Sequence, residues 1–374
     1  MLTLSSWPDI KRQGAVANQY VALYEGALAA HGVMVGPAAT ISNDFLRAHR
    51  GSLDAIQIQW VPEQIWRGGS RSQWQQLRRV AGLWSYLRLA HSLGTKVIWT
   101  FHDVAPQERP TWVDRLGFRV LATHADLCIV HDDWAAEQFK RTYPRSKADV
   151  RVMEHGNYDG VFPPAAPRDE TLSRLGVDPA KKILLCQGLV RPYKRYDLAI
   201  EAARLLGSDY HLIVAGAATD SAHERHLREQ AHTTANVTLL LESLSSQAVS
   251  DLFCACDCYL LPYQQITGSG AALTTATLGR AFVASNLPYF QRIAAVEPEA
   301  VVLQTAQSAD AIAAAVKTFF SVTPELRHRA ARRIADRVPW SVVIAPVVEW
   351  FDLNFPGRLG GGAERVGVLA GTAT

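Results

Sequence analysis

The sequence is poor in cysteine and contains no long apolar run. Only 5 of its 374 residues are cysteine, an odd number that argues against a disulfide framework and fits a reducing compartment. No uninterrupted stretch of about 18 apolar residues is present, so a membrane-spanning helix is not expected. Residues 1–11 lack the basic start and the apolar run of a signal peptide. These absences together predict a cytoplasmic protein.

An excess of charge of one sign is also missing. The chain has 38 Lys and Arg residues against 35 Asp and Glu residues, a formal net charge of +3. This balance argues against a dedicated nucleic-acid binder, and no nucleic-acid partner is predicted. Hydrophobic residues make up 48% and charged residues 20%, which is typical of a globular protein and excludes a disordered or fibrous one.

Several motifs of phosphate and metal chemistry are absent as well. There is no Gly-x-Gly-x-x-Gly after a strand, no Walker A loop and no His-Glu-x-x-His. The Asp-x-Asp pair, which often holds a metal ion on a nucleotide diphosphate, is also missing. A dinucleotide-dependent oxidoreductase is therefore disfavoured. Any phosphate would have to be bound by cationic side chains and helix ends, and neither a metal nor another cofactor is expected.

What the sequence does contain is an alternation of short apolar runs and amphipathic stretches. Apolar strands separated by helices predict parallel sheets covered on both faces, and right-handed crossovers make each sheet a doubly wound, Rossmann-like domain. The predicted strands are Ala55–Trp60, Lys96–Thr100, Leu127–Val130, Val150–Met153, Ile183–Cys186, His211–Ala215, Val237–Leu241, Tyr259–Leu261, Phe282–Ala284 and Val301–Leu303.

We therefore expect an α/β chain of two Rossmann-like domains that face each other across a cleft. Residues 1–165 form the first domain and residues 166–355 the second, joined by the proline-rich residues 162–167. Residues 356–374, which include six glycines, are predicted to be a disordered tail. In such folds ligands lie beyond the carboxyl ends of the strands.

The segment 188–195, Gly-Leu-Val-Arg-Pro-Tyr-Lys-Arg, directly follows one of the predicted strands. It places Gly188, Arg191 and Lys194 between that strand and a helix. Arg191 can bind phosphate oxygens through two parallel hydrogen bonds, and Lys194 adds a compact positive charge. The helix N-terminus contributes its dipole. The segment predicts a phosphate site, with a solvated basic loop as the alternative.

A second such segment is Thr-Gly-Ser-Gly at positions 267–270, between a predicted strand and a predicted helix. Gly268 and Gly270 would let a phosphate approach the free backbone N–H groups at the helix start. Ser269 either adds a hydroxyl donor or simply caps the helix. Both segments follow strands of the same predicted sheet, so they can converge on one diphosphate.

With these segments the chain resembles the GT-B glycosyltransferases, in particular glycosyltransferase family four and the mannosyltransferases of bacterial exopolysaccharide assembly. The Arg-Pro-Tyr-Lys and Ser-Gly blocks are specific, and the other blocks are supportive. The matching blocks, in the family's order, are His102–Pro106, His155–Tyr158, Gly188–Lys194, Pro262–Tyr263 and Gly268–Arg280.

The resemblance implies transfer of a sugar, without a bound metal, from a nucleotide-sugar donor on the second domain to a saccharide acceptor on the first. A lipid-linked acceptor of polysaccharide or glycoconjugate synthesis is expected. Arg191 and Lys194 would neutralise the diphosphate leaving group, and residues 268–270 would bind it through backbone donors. The resemblance favours GDP-mannose as donor, with UDP-hexoses open. An epimerase of the same fold and a non-catalytic sugar-binding protein are the alternatives.

Three positions depart from family four. Its paired glutamates, eight positions apart, fall on Ile266 and Thr274, which cannot act as carboxylates. Those glutamates contact the donor sugar and ribose, so neither the sugar nor the retaining outcome of the family carries over. The family's arginine after the strand glycine is Leu189 here, and Arg191 is expected to substitute for it.

Two further segments follow predicted strands of the first domain. His102 and Asp103 are candidates for the catalytic base, because histidine titrates near neutrality and a carboxylate can deprotonate a hydroxyl in an inverting reaction. His102 could alternatively fix a loop. The segment of His155, Gly156 and Asn157 is predicted either to close on a substrate or to form a turn into the linker.

The tryptophans are concentrated: six of the ten lie between residues 60 and 112. The stretch between Glu63 and Asp103 holds no acidic residue. Within it, apolar residues at three- and four-residue steps predict an amphipathic helix over Gln73–His91. Its apolar stripe comprises Trp74, Leu77, Val80, Ala81, Trp84, Leu87 and His91. Tryptophan beside arginine suits a lipid headgroup interface, whereas packing on the sheet is the alternative. The predicted membrane contacts are Trp74, Arg78, Trp84 and Arg88.

The alternating Cys254, Cys256 and Cys258 suggest a metal cluster at first sight. Zinc ligands are usually spaced by two to four residues and need partners elsewhere in the chain. We expect the three thiols to pack on one face of a strand that begins early.

Overall fold

The computed structural model of the chain describes residues 1–8, 19–61, 63–69, 72–102 and 110–359, and for Glu63 and Gln64 the backbone alone. These residues form two six-stranded sheets in which all strand pairs are parallel, with flanking helices. The prediction of two Rossmann-like α/β domains is confirmed. None of the helices described is both long and apolar enough to cross a bilayer.

The first sheet has the strand order β2-β1-β3-β4-β5-β6. Its strands are β1 (Leu2–Trp7), β2 (Val33–Val35), β3 (Ala55–Ile58), β4 (Lys96–Thr100), β5 (Leu127–Val130) and β6 (Asp149–Val152). The helices of this half are α1 (Gln19–Ala30), α2 (Asn43–Ala48), α3 (Gln73–Ser92), α4 (Trp112–His124) and α5 (Asp133–Thr142), with a π-helical turn at Glu63–Arg67.

The second sheet has the order β12-β11-β10-β7-β8-β9. Its strands are β7 (Lys182–Gln187), β8 (Tyr210–Ala215), β9 (Val237–Leu240), β10 (Cys258–Leu261), β11 (Phe282–Ala284) and β12 (Val301–Leu303). Its helices are α6 (Arg168–Arg174), α7 (Tyr196–Leu206), α8 (Ser221–His232), α9 (Ser246–Ala255), α10 (Gly270–Thr277), α11 (Pro288–Val296), α12 (Ala309–Phe319) and α13 (Pro324–Asp336), with a 3-10 turn at Pro192–Lys194. Two helices end the described chain, α14 (Trp340–Val343) and α15 (Ala345–Asn354).

These strand orders determine where a ligand can lie. In a doubly wound sheet the connections run outward in both directions from one pair of neighbouring strands, and the loops after those strands diverge to leave a crevice. In the second sheet that pair is β7 and β10, which are neighbours with Leu184 opposite Cys258. The segments 188–195 and 267–270 follow these two strands. The fold therefore puts both predicted phosphate segments beside the crevice of the second domain.

Two strands of the first sheet were missed by sequence reasoning. β1 reads Leu-Thr-Leu-Ser-Ser-Trp, and its serines interrupt the apolar run that marks a buried strand. Ser5 is nonetheless fully buried, because β1 pairs with β2 on one side and with β3 on the other. β2 has only three residues and gives no periodicity to detect.

The last two helices pack on the first domain, although they follow the second. Trp340 of α14 and Val347, Trp350 and Phe351 of α15 share one buried cluster with residues of β1 and α1. The prediction that the second domain extends to residue 355 is therefore wrong at its end. Helix amphipathicity shows that a helix must cover something, but it does not show which sheet it covers.

The expected tail and the expected cysteine strand both differ from the structure. Arg358 pairs with Asp54 in the first domain, and its guanidinium also donates to the Met1 carbonyl oxygen at 3.1 Å. The tail prediction for residues 360–374 lies outside the described residues.

Cys254 lies in α9 and Cys258 in β10, so the three cysteines do not share one strand face. Cys256 and Cys258 are buried as free thiols.

Candidate active site

The carboxyl edges of the two sheets lie against each other. The Thr267 hydroxyl, after β10, donates to the carbonyl oxygen of His102, after β4. The Arg292 guanidinium of α11 pairs with the carboxylate of Asp132, which caps α5. Because both contacts join segments that follow strands, the loops of the two domains face one shared cleft.

The loop after β7 needs glycine at its first position. Gly188 has φ of 115°, in the left-handed region that side chains rarely adopt, and an added Cβ would lie 2.9 Å from Lys194 Nζ. Glycine here lets the chain turn sharply while the ammonium group packs against the backbone. The 3-10 turn at Pro192–Lys194 then folds Lys194 back toward Gly188, and α7 begins directly after Arg195.

Lys194 is the unusual residue of this loop. Its side chain is only 8% exposed, and its Nζ lies 5.5 Å from the ring centre of Tyr263 and 5.8 Å from that of Tyr196. Burial, and secondly the positive charge of Arg191, lower the pKa of Lys194 to about 8. Among the described residues, no carboxylate forms an ion pair with Lys194 or with Arg191. This loop thus places two cations, without a carboxylate partner among the described residues, at the end of a strand.

The segment 267–270 lies beside that loop and beside the first domain. The backbone N–H of Gln264 donates to the carbonyl oxygen of Tyr193 at 2.8 Å, which joins the loop after β10 to the 3-10 turn. Ser269 accepts a hydrogen bond from the Ala272 N–H at 3.1 Å, so its hydroxyl caps α10. A Cβ on Gly270 would lie 2.9 Å from the Tyr158 hydroxyl. Glycine at position 270 therefore leaves room for the Tyr158 hydroxyl, whose ring packs in the core of the second domain.

The two positions that carry glutamates in family four hold uncharged side chains in apolar surroundings. Ile266 packs against the core of the second domain, and Thr274 is buried on α10. Neither of these two side chains can act as a carboxylate at its position.

His102 lies at the carboxyl end of β4, in contact with aromatic and imidazole rings. Its Nε2 is 3.1 Å from the Gln59 side-chain oxygen, and its Nδ1 is 3.4 Å from His131 Nε2. Burial, followed by the neighbouring His131 and His155, holds the pKa of His102 well below its usual value. Asp103, the other predicted base, lies outside the described residues. His102 is thus a neutral group with protein partners on both ring nitrogens.

The predicted substrate segment 155–157 is largely occupied by contacts with the C-terminal helices. A Cβ on Gly156 would lie 2.3 Å from Cε2 of Trp340, whose indole N–H donates to the Asn157 carbonyl oxygen at 2.8 Å. The Asn157 side chain donates to the Ala335 carbonyl oxygen at 3.0 Å. Gly156 and Asn157 therefore pack against α13 and α14.

His155 is the member of that segment that reaches open space. It lines an interdomain cavity of about 310 Å³ together with His131 and Asp132 of the first domain and Tyr289 and Arg292 of the second. Burial lowers the pKa of His155 to about 3. Neutral imidazole rings therefore line one side of the cavity, and the ion pair between Asp132 and Arg292 joins the two domains beside it.

Helix α3 turns a different face to the sheet than the sequence predicted. The buried side chains are Gln76, Val80, Leu83, Tyr86, Leu87 and Ala90. Trp74 is 78% exposed and Trp84 44% exposed, and the guanidinium of Arg88 lies 4.9 Å from the ring centre of Trp84. The expected single stripe thus divides in two: Val80 and Leu87 pack inward, whereas both tryptophans point outward with Arg78 and Arg88.

A third exposed tryptophan extends this surface. Trp112, at the start of α4, is 52% exposed, and its indole N–H donates to the Gln73 side-chain oxygen at 2.6 Å. Since α3 contains no acidic residue, the outward face combines large aromatic rings with unbalanced positive charge. We call Trp74, Arg78, Trp84, Arg88 and Trp112 the tryptophan–arginine face.

Sequence reasoning missed three groups around His102. His131 follows β5, Gln59 follows β3, and Trp60 stacks on the His102 ring with centroids 4.8 Å apart and planes at 8°. The available signal was the position of His131 directly after the strand Leu127–Val130, the same kind of position that made His102 a candidate.

Comparison with known proteins extends these observations. Residues 167–337 match the family described as "Glycosyl transferases group 1". A GDP-mannose:glycolipid 4-beta-D-mannosyltransferase of Xanthomonas campestris is 27% identical over 257 residues, which cover 66% of this chain and 64% of the relative. The chain thus matches just under two thirds of that protein's length. The lipopolysaccharide core biosynthesis mannosyltransferase LpsB of Rhizobium meliloti is 28% identical over 191 residues, 49% of this chain and 54% of the relative.

Similarity to solved structures extends over nearly the whole chain. The Anabaena protein Alr3699/HepE, crystallised in complex with UDP, superposes with a TM-score of 0.70 at 14% identity, covering 94% of this chain and all of that one. At this identity the likeness concerns the fold. The two facing six-stranded sheets therefore have the GT-B fold, and residues 167–337 of the second half match the domain family of glycosyl transferases group 1.

Proposed function

We propose that the chain transfers a mannosyl group from GDP-mannose to the saccharide of a glycolipid at a membrane surface. The observation that carries the donor half of this proposal is the cationic pair of buried Lys194 and half-buried Arg191 at the crevice of the second sheet. A buried ammonium group without a carboxylate partner is costly unless an anion joins it.

The cationic pair suits the chemistry of a leaving diphosphate. When the bond between sugar and phosphate breaks, negative charge grows on the leaving phosphate oxygens, and fixed cations stabilise that charge more than they stabilise the intact donor. Arg191 and Lys194 would supply this stabilisation without a metal ion. The N–H groups at the start of α10, at Gly268 to Gly270, would complete the phosphate site.

The choice of GDP-mannose rests on the relatives. The Xanthomonas protein is named for GDP-mannose and a glycolipid acceptor, and the Rhizobium protein is named a mannosyltransferase. UDP-hexoses are the competing donors, since the Anabaena protein of the same fold was crystallised with UDP.

The acceptor half of the proposal is supported by the tryptophan–arginine face. Indole rings favour the boundary between headgroups and acyl chains, and arginines attract anionic lipid. A glycolipid acceptor is embedded in such a surface, and the face belongs to the domain that carries His102.

A panel of GDP, UDP, GDP-mannose, UDP-hexoses, free nucleosides and free sugars, screened by thermal shift, tests the donor assignment. We expect nucleoside diphosphates to raise the melting temperature and free nucleosides to leave it unchanged, because the cationic pair recognises the diphosphate. The GDP and UDP arms identify the base. Stabilisation by free sugars alone would contradict the proposal and indicate a sugar-binding protein.

A transfer assay separates the enzymatic alternatives. Incubation with the stabilising nucleotide-sugar and a glycolipid acceptor should release the nucleoside diphosphate and lengthen the saccharide. Appearance of an epimeric nucleotide-sugar in the absence of any acceptor would overturn the transferase proposal in favour of an epimerase.

A flotation assay on anionic vesicles tests the membrane assignment. Replacing Trp74 and Trp84 with serine should release the protein from the vesicles, because both rings are exposed and neither holds the core together. Leu353→Ser, which removes an equally exposed apolar side chain from α15, is the matched control and should float like the wild type. Equal flotation of all three proteins rules out membrane contact through this face.

A further inference from the structure

A chain of hydrogen-bonding groups runs along the carboxyl edge of the first sheet. His131 Nδ1 is 2.9 Å from the carbonyl oxygen of Met153, His131 Nε2 is 3.4 Å from His102 Nδ1, and His102 Nε2 is 3.1 Å from the Gln59 amide. These four residues follow β6, β5, β4 and β3, which are neighbours in the sheet. The chain therefore crosses four adjacent strand ends and has His102 in its interior.

The protons of this chain can be assigned from its fixed end. A backbone carbonyl oxygen only accepts, so His131 must carry its proton on Nδ1. A neutral imidazole has one proton, which leaves a lone pair on His131 Nε2. His131 Nε2 can then accept a hydrogen bond only if His102 carries its own proton on Nδ1. It follows that His102 Nε2 bears a lone pair and faces Gln59 as an acceptor.

The neutral state of both rings agrees with their surroundings. Burial is the largest effect on both rings and lowers the pKa of His131 and that of His102, although the Met153 carbonyl and the Asp132 carboxylate act to raise the pKa of His131. The Asp132 carboxylate is itself paired with Arg292. Gln59 also fits. With its oxygen toward His102, its buried amide nitrogen has no partner among the described residues, whereas half a turn of the amide lets that nitrogen donate to His102 Nε2.

Aromatic rings fix the plane of His102 as well as its protons. Trp60 stacks on one side of the ring, and Tyr20 meets it edge-on with centroids 5.4 Å apart. Tyr20 also contacts His131 edge-on, at 5.6 Å. The two imidazoles are therefore held by the same tyrosine, and a rotation of either ring would disturb both hydrogen bonds.

We propose that His131 is a positioning residue that holds His102 in its Nδ1–H tautomer, so that Nε2 of His102 presents an acceptor lone pair to whatever donor replaces Gln59. In the active enzyme that donor is a sugar hydroxyl, and this last clause rests on the function proposed above. The tautomer itself does not depend on that function, and it can be observed in the protein alone.

A long-range proton–nitrogen NMR spectrum of the histidine-labelled full chain at neutral pH tests the tautomer directly. His102→Gln identifies the His102 signals by their disappearance. We expect a protonated-type Nδ1 and an unprotonated-type Nε2 for His102 in the wild type. An Nε2–H tautomer there overturns the proposal at once, whether or not any variant folds.

Two variants test whether His131 is the cause. His131→Phe removes the acceptor and should let His102 change to the Nε2–H tautomer, with kcat/KM for sugar transfer falling roughly 10- to 100-fold, the size of one lost hydrogen bond to a reacting group. His131→Gln offers an amide oxygen in place of Nε2, and we expect it to keep the Nδ1–H tautomer and most of the activity. If the His131→Phe protein folds and His102 keeps its Nδ1–H tautomer, His131 is not the positioning residue. The same follows if His102 loses that tautomer in the His131→Gln protein.

The outcomes also separate this proposal from the proposed function. A His102 with Nδ1–H in a protein that transfers no sugar from any donor upholds the tautomer assignment and removes the transferase proposal. An active transferase with the proton of His102 on Nε2 upholds the transferase proposal and removes the tautomer assignment.

Discussion

At the carboxyl edge of the first sheet, the groups hydrogen-bonded to His102 are neutral and contact one another, whereas the corresponding edge of the second sheet holds two cations without a carboxylate partner among the described residues. His102, His131 and Gln59 have partners within their own domain. Lys194 is just as enclosed, but its neighbours are aromatic rings and another cation. Two sheets of similar architecture thus present different electrostatic surroundings to one cleft.

The difference indicates which substrate each edge suits. A diphosphate carries charge, and an incomplete set of cations favours its binding. A saccharide carries hydroxyl groups, for which neutral acceptors and aromatic rings are better partners, because they need not give up strong hydration. This contrast supports the proposal that the donor phosphates bind at the second domain and the sugar hydroxyls at the first.

Removing a cation of the second edge should have the largest effect. Lys194→Ala should weaken the binding of the nucleoside diphosphate roughly 10- to 100-fold, as expected for the loss of a charge-assisted hydrogen bond, and Arg191→Ala should act in the same direction. Isothermal titration calorimetry measures both affinities. Lys182→Ala, at the opposite end of β7, is the matched control and should bind like the wild type. Unchanged affinity in both Lys194→Ala and Arg191→Ala would remove the contrast between the two edges.

The first edge should respond to a change of packing. Gly156→Ala places a methyl group 2.3 Å from the Trp340 ring and should lower the free energy of unfolding by about 2 kcal/mol, the usual cost of overfilling a packed site. Gly26→Ala, in a helix with open space around it, should be neutral or slightly stabilising. Denaturant unfolding compares the two. A Gly156→Ala protein of normal stability with a raised KM for the acceptor would show that the segment binds substrate instead.

The pH dependence of donor binding should follow Lys194. Its pKa of about 8 in the free protein means that it loses its charge above that pH, and a bound diphosphate raises the pKa. Affinity should therefore be constant below about pH 7 and fall by up to tenfold per pH unit above about pH 8, with a proton taken up on binding. Calorimetry at about pH 8.5 in two buffers of different ionisation enthalpy measures that uptake.

Lys194→Arg provides the control for this pH dependence, since guanidinium stays charged across the range. Its affinity should not change with pH up to about pH 9. A wild-type affinity that is equally flat would mean that Lys194 does not contact the diphosphate.

The second edge could be predicted from the sequence because its parts are local. Gly188, Arg191 and Lys194 lie within seven residues, and the strand before them is a plain apolar run. The hydrogen-bonded groups at the carboxyl edge of the first sheet could not be predicted in this way. They meet only after four strands have been ordered side by side, and they are Gln59, His102, His131 and Met153. No spacing along the chain predicts that order.

The face of α3 shows a different limit. Trp74 and Trp84 fit the three- and four-residue spacing of an apolar stripe, and their size favours burial in a sequence reading. The sheet is instead covered by Leu83, Tyr86 and Ala90, with Val80 and Leu87 shared between the two readings. Two overlapping helical stripes have nearly the same period, and only the position of the sheet decides between them.

The return of α14 and α15 to the first domain has a consequence for the order of folding during synthesis. Domains usually fold from the N-terminus as they leave the ribosome, and residues up to 152 contain all six strands of the first sheet. Yet β1 and α1 lack part of their packing until residues 340–351 emerge from the ribosome. The missing side chains are Trp340, Val347, Trp350 and Phe351. The second domain, whose sheet is complete at Leu303, can close its core before the first one does, so the domain made first is the domain finished last.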